Sequence, residues 1–292
     1  MIRKILFATN FTPLSRNALD YALELAKKTE ADLVGAYSLQ VPMPVYSLSL
    51  PSAEYKKEME NIGRFKLQDF FQGVTLRGEE VKTRLCLGPP GQELSKLAKA
   101  EKADLIAVAK HSRSTLERFF ISSTTERIVR QSRTPVLVVP DQGRRSVKWK
   151  PILCAVDFSD PSLEALRFAI KLAADYGSEL AVLHALELGP MMEAFGEKSR
   201  AKLAAVPERI RKKLQDLNRM FGAPRGVETL VAQGKPPEVI LGESERLGSD
   251  LVIVGKRGNV VRERLAIGAT TNSILRAAHI PVIVVPGFRP RT

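Results

Sequence analysis

The feature that most constrains this chain is that it repeats itself. Ile5-Leu6 recurs 147 residues later as Ile152-Leu153, Ala8 as Ala155 and Phe11 as Phe158. The helical pattern that follows keeps Ala18 with Ala165, Leu19 with Leu166, Ala22 with Ala169, Leu25 with Leu172 and Ala26 with Ala173. Those positions fall at helical spacing, so the copies share a core-facing stripe. Further along the offset is 146, matching Gly88 with Gly234, Pro90 with Pro236, Asp104 with Asp250, Pro135 with Pro281 and Val139 with Val285. The one-residue change of length is expected around the second helix, between Pro42 and Gly73 in one copy and Gly189 and Gly222 in the other. A chain of 292 residues is long enough for two domains that each bury a core. The boundary is placed near Gly143, in the polar, basic connector Pro140 to Lys150, giving domains 1–143 and 144–292. Within each copy, short apolar runs alternate with helical patterns, which predicts a doubly wound α/β fold: a parallel sheet with helices on both faces.

The net charge of +13 favours anionic partners without choosing among them. Five Tyr and one Trp are a poor supply for stacking bases, and the Lys and Arg are scattered over helical segments, which disfavours sequence-specific nucleic-acid binding. No apolar run reaches the roughly 20 residues of a membrane span, and the apolar part of the N-terminus is too short for a secretory signal, so a cytoplasmic protein is expected. Cys86 and Cys154 fall in apolar strand patterns and read as free thiols rather than a disulfide.

The chemistry concentrates in Asp250 to Pro286, DLVIVGKRGNVVRERLAIGATTNSILRAAHIPVIVVP. A buried strand through Val254 ends at Gly255, and the spacing Gly255-x-x-Gly258-x9-Gly268-Ala269-Thr270-Thr271 leads into a helix. Glycines without a Cβ let backbone amides approach an anion, and a helix N-terminus offers unpaired N–H groups and a positive dipole end. Lys256 and Arg257 either neutralise that anion or project into water. A phosphate cradle and plain loop punctuation are both open on spacing alone. Strand one of the second copy ends in Asp157-Phe158-Ser159, where Asp157 accepts a hydrogen bond from a base amine or ribose hydroxyl, or else Asp157 or Ser159 simply caps the helix. His184 reads as a packed strand-end residue, with no second ligand at metal spacing, and no metal ligand set is assigned. Gly234-Lys235-Pro236 follows strand three at the same sheet edge.

Strand, Gly-x-x-Gly-x9-Gly-[Ser/Thr], helix, strand is similar to the nucleotide-binding signature of the universal stress protein family. Ala269 departs from it, standing where the family has Ser or Thr. The resemblance covers both copies and nearly the whole chain. It implies a five-stranded sheet in the order 3-2-1-4-5, with ATP, accompanied by Mg²⁺, over the carboxyl ends of strands one and four. It also implies that Asp157 binds adenine, that Ala185 contacts the base through its backbone, and that the chain is an ATP-binding regulatory stress-response protein acting on an unidentified protein partner. The apolar fifth strands, PVLVV and PVIVV, should not be left as open edges. Pairing of the two copies as an intramolecular pseudo-dimer, supported by the resemblance, would cover them, and a further homodimer is allowed.

The first copy has lost the signature. At the matching positions stand Ala109-Lys110-His111-Ser112-x9-Ser122-Ser123, and Asn10 replaces the Asp. It is therefore expected to bind ATP poorly or not at all, with His111 and Arg113 keeping some basic character. No catalytic arrangement is found: neither a Gly-x-Ser-x-Gly elbow, nor His-Glu-x-x-His, nor a Walker motif. Two rivals to the regulatory reading remain open: a slow ATPase or phosphotransferase using Thr270 or Thr271, and a purely structural interaction protein with a vestigial pocket.

Overall fold

The computed structural model describes residues 2–40, 53–110, 123–141, 149, 151–187, 203–258 and 267–287. The chain divides into two compact units, Ile2–Arg145 and Ser146–Thr292.

The first unit runs β1 (Lys4–Ala8), α1 (Pro13–Thr29), β2 (Asp32–Leu39), α2 (Ala53–Phe71), β3 (Thr75–Leu76), β4 (Glu79–Glu80), β5 (Lys82–Leu87), α3 (Pro90–Ala100), β6 (Leu105–Ala109), α4 (Ser123–Gln131) and β7 (Val136–Val139). The second runs β8 (Ile152–Ala155), α5 (Asp160–Tyr176), β9 (Leu180–Leu186), α6 (Val206–Met220), β10 (Glu228–Gln233), α7 (Pro236–Arg246), β11 (Leu251–Gly255), α8 (Ala269–Ala277) and β12 (Val282–Val285). Each unit is a parallel sheet, paired β5-β2-β1-β6-β7 in one and β10-β9-β8-β11-β12 in the other. Counted along the chain, that order is 3-2-1-4-5 in both.

The central strands are buried at almost every residue, because helices cover both faces: β6 and β11 have no exposed position. The stripe shared by α1 and α5 is what they bury; Ala18, Leu19, Ala22, Leu25 and Ala26 and their counterparts are all 2% exposed or less. Proline in the first turn starts both helices. Both end on a left-handed residue, Gly177 in α5 and Glu30 in α1.

The units differ around the second helix, where the length changes. The first carries a small hairpin, β3–β4, absent from the residue-level expectation. Its two-residue turn, Arg77-Gly78, has φ of 55° and 84°, the double positive φ that closes tight hairpins. The side of its sheet under α2 is aromatic: Phe7, Phe70 and Phe71 meet ring to ring, and Phe71 fills the space above Gly35. Trp149 corrects the reading of the connector as merely polar and basic. It is fully buried and stacks on Tyr176 at 5.2 Å, because a lone indole among basic residues gains most by leaving water. Cys154 is buried and Cys86 partly exposed; both thiols are free.

Candidate functional site

In the second unit the carboxyl ends of β8 and β11 lie side by side, Val254 in register with Ala155. This is the point where the strand order reverses, since β9 continues to one side of β8 and β11 to the other. Beyond β8 the chain turns through Asp157-Phe158-Ser159, with Phe158 at φ 63°. A left-handed non-glycine residue costs about 1–2 kcal/mol, and here the turn places the Phe158 ring 5.0 Å from His184, under the Lys213 ammonium at 4.1 Å. His184 Nδ1 donates to Val156 O at 2.7 Å, so it is a packed strand-end residue. Among the described residues no cluster of three His, Cys, Asp or Glu could hold a metal.

The two readings of the turn now separate. Ser159 is the N-cap of α5, accepting from Ser162 N–H at 3.3 Å. Asp157 lies two residues earlier, exposed, and its Oδ1 accepts from both the Ser159 N–H at 3.0 Å and the Ser159 hydroxyl. The serine therefore caps the helix, and the exposed carboxylate closes a turn onto it. Ala185 joins it from β9. Leu183 O accepts from Val156 N–H and Leu186 O from Gly234 N–H, so alternation along the strand turns the Ala185 N–H and C=O toward β8, just past where β8 stops.

None of Gly255, Gly258 and Gly268 adopts a positive φ, so what matters at each is the space that a missing Cβ leaves. A Cβ on Gly255 would stand 2.7 Å from Ser162 N and 2.8 Å from Pro161 C; the bare carbon lets the first turn of α5 close on β11. A Cβ on Gly258 would stand 2.4 Å from Asp157 Oδ2. At Gly268 the nearest atom is Arg257 Cα at 3.3 Å, a tight contact rather than a clash. Protein atoms crowd the Cβ positions of the first two glycines.

Gly268 is the N-cap of α8 and donates its N–H to Lys256 O at 3.0 Å, which draws the helix start onto the loop. The first-turn amides of Ala269, Thr270 and Thr271 have no acceptor within the helix, and no acidic side chain stands in that turn. Thr271 is buried and its hydroxyl donates to Gly255 O at 2.8 Å, so that proton is committed to the fold. Thr270 is half-buried, with no hydrogen-bond partner among the described residues, and Ala269 is exposed. Lys256 is buried, 6% exposed, which removes the solvated-loop alternative for it; Arg257 is half-buried. Val254 is a core strand residue. Gly234 and Lys235 lie at the end of β10, Lys235 exposed and 3.8 Å from Glu238.

The first unit keeps the skeleton and changes the finish. Thr125 Oγ1 donates to Ala109 O at 3.0 Å, repeating the Thr271 bond. Phe11 is left-handed like Phe158, and packs on Tyr37 at 4.5 Å and Phe70 at 5.8 Å. Asn10 Oδ1 accepts from Thr12 Oγ1 and Ser15 Oγ, both at 2.7 Å, and Ala109 puts a methyl where Gly255 has none. Lys110, the counterpart of Lys256, is buried, and burial pushes its ammonium down to about 8. His111, Ser112, Arg113 and Ser122 lie outside the described residues. The residue pattern did not mark Phe158 and Ser162 as parts of the turn that holds Asp157. The shared spacing of DFSDPS and NFTPLS is the signal that could have found them.

Comparison with known proteins agrees with this architecture. A solved universal stress protein from Archaeoglobus fulgidus superposes with a TM-score of 0.71 at 22% identity, covering 97% of this chain and 98% of that one, which establishes a shared fold. Similar proteins include a universal stress protein of Thermus aquaticus, 32% identical over 139 residues, 47% of this chain and 98% of that protein. Another, from Methanocaldococcus jannaschii, is 27% identical over 141 residues, 47% of this chain and 82% of its own length. The profile of the universal stress protein family matches twice, over residues 1–140 and 148–286, and the chain therefore belongs to that family as a tandem two-domain member.

Proposed function

We propose that this protein is a regulatory one that binds ATP in its second unit and couples the bound nucleotide to a protein partner. The observation that carries the proposal is convergence. Asp157, the backbone of Ala185 turned to the side where β8 stops, the loop from Val254 through Lys256, Arg257 and Gly258, and the amide-bearing start of α8 at Gly268, Ala269, Thr270 and Thr271 lie around the carboxyl ends of β8 and β11. The acceptor end suits a base or ribose, and the amide end suits phosphate. With no carboxylate cluster among the described residues, Mg²⁺ would enter with the phosphates rather than on a protein cage. The first unit, with Asn10 and Ala109, takes nucleotide poorly in this reading.

The test is thermal melting of the intact protein with and without MgATP. Ligand at about 100 times its Kd stabilises by about 2.7 kcal/mol, and Asp157→Ala should reduce the shift while Asn10→Ala leaves it. An unchanged melting temperature at saturating MgATP would overturn the proposal. The commitment of the Thr271 proton weighs against a phosphotransfer role for that hydroxyl, and turnover assays on Thr270→Val address the other. Among the described residues no helix is long and apolar enough to cross a membrane, and a cytoplasmic location is part of the proposal. So is covering of the apolar fifth-strand edges by pairing, within the chain or with a second copy; light scattering of the intact protein tests the homodimer.

A further inference from the structure

The second glycine of the loop is bare for a reason that concerns the other end of the site. Asp157 Oδ1 accepts the Ser159 N–H at 3.0 Å and the Ser159 hydroxyl, which fixes the orientation of the carboxylate. Its other oxygen, Oδ2, lies against Gly258, 2.4 Å from where a Cβ would stand, well inside the 3.0 Å that real Cβ atoms respect. The Ser159 hydroxyl, whose one proton goes to the carboxylate, also lies 3.2 Å from Arg257 O, so the carboxylate and the loop sit against the same side chain. Gly258 has no backbone need for glycine, since its φ is not positive. A methyl there would force Oδ2 away, and because Oδ1 is tethered, the carboxylate could yield only by giving up its bonds to Ser159. Consistent with this, the copy that has Asn10 in place of the acid has Ser112 in place of the glycine.

We propose that Gly258 is a specificity-determining position: it is glycine to seat the Asp157 carboxylate, and through that carboxylate it selects ligands bearing a base and ribose over simple polyphosphates. This rests on the nucleotide reading above, and assigns the glycine to the base end of the ligand rather than to the phosphate end. A glycine that served phosphate approach would matter equally to ATP and to inorganic tripolyphosphate. One that seats Asp157 matters to ATP alone, and only while the carboxylate is present.

The experiment measures ATP and inorganic tripolyphosphate binding by titration calorimetry on the intact chain as wild type, Gly258→Ala, Asp157→Ala and the double variant, with a melting curve for each. Expected are a loss of about tenfold in ATP affinity for Gly258→Ala, within the usual range for residues in contact, and tripolyphosphate affinity unchanged. In the Asp157→Ala background, Gly258→Ala should bring no further loss, and the two melting shifts should be less than additive. Equal losses for both ligands, in both backgrounds, would overturn the inference and leave the nucleotide reading standing. If the wild type binds neither ligand, the nucleotide reading fails and the selection by Gly258 fails with it. The melting cycle separately decides the seating contact, and strictly additive shifts refute it.

Discussion

Thr271→Val is the sharpest test of how the second unit is held together. The Lys256 N–H donates to Val285 O, so alternation turns the Gly255 carbonyl away from β12, toward the side where β8 has already ended. The Thr271 hydroxyl, 2.8 Å away and only 4% exposed as a residue, meets that carbonyl in place of a neighbouring strand. Valine keeps the shape and the helix propensity and removes the donor. A net hydrogen bond contributes about 0.5–1.5 kcal/mol, and a buried carbonyl left without its partner raises the loss to about 1–3 kcal/mol. The added methyl returns about 0.8 kcal/mol of burial, leaving about 0.2–2.2 kcal/mol, centred on about 1 kcal/mol. For a unit of this size each kcal/mol moves the midpoint by about 2–4 °C, so differential scanning calorimetry should show the transition of the second unit lowered by about 2–4 °C. Thr125→Val removes the equivalent bond to Ala109 O and should lower the first unit's transition by a similar amount. Thr270→Val, which breaks no hydrogen bond to a described residue, should move neither by more than about 0.5 kcal/mol. A Thr271→Val protein that melts with the wild type would refute the argument that this hydroxyl is structural.

Other perturbations follow from the same turn. Gly255→Ala drives a methyl into the backbone of Pro161 and Ser162, and should cost about 1–3 kcal/mol, read as a lower denaturation midpoint in urea; an unchanged midpoint would mean that α5 does not close on β11 as described. Ser159→Ala removes a cap bond and should cost about 1 kcal/mol, whereas Thr12→Ala, at a cap position with no such bond, should cost less; equal losses would contradict the difference between the two turns. Burial holds the Lys110 ammonium at about 8 instead of its ordinary 10.5. Between those values the unfolded chain binds more protons, so the penalty is complete below the lower value and fades as pH rises to the upper one. The melting temperature of Lys110→Met relative to wild type should therefore fall as pH rises from about 8 toward about 10; a difference independent of pH would show that burial does not perturb this lysine.

Much was legible in the chain itself. The 147- and 146-residue offsets, the stripe from Ala18 to Ala26 and the apolar runs that became β6, β8, β11 and β12 carry the tandem α/β architecture, because burial on both faces of a sheet writes itself into composition and periodicity. The candidate loop was legible too, as a spacing of glycines. What spacing cannot hold is which atom fills the room that each glycine leaves. Pro161 and Ser162 at Gly255, and Asp157 at Gly258, are about 100 residues away along the chain and arrive only when α5 docks on β11. The same holds for Thr271, a phosphate candidate by position that folding turned back onto a strand-end carbonyl, and for Trp149, taken from a basic connector into the core. Local pattern follows from which residues seek water and which avoid it, and so it can be read from sequence. Close contacts between distant segments depend on where packing brings them, and that was decided in three dimensions.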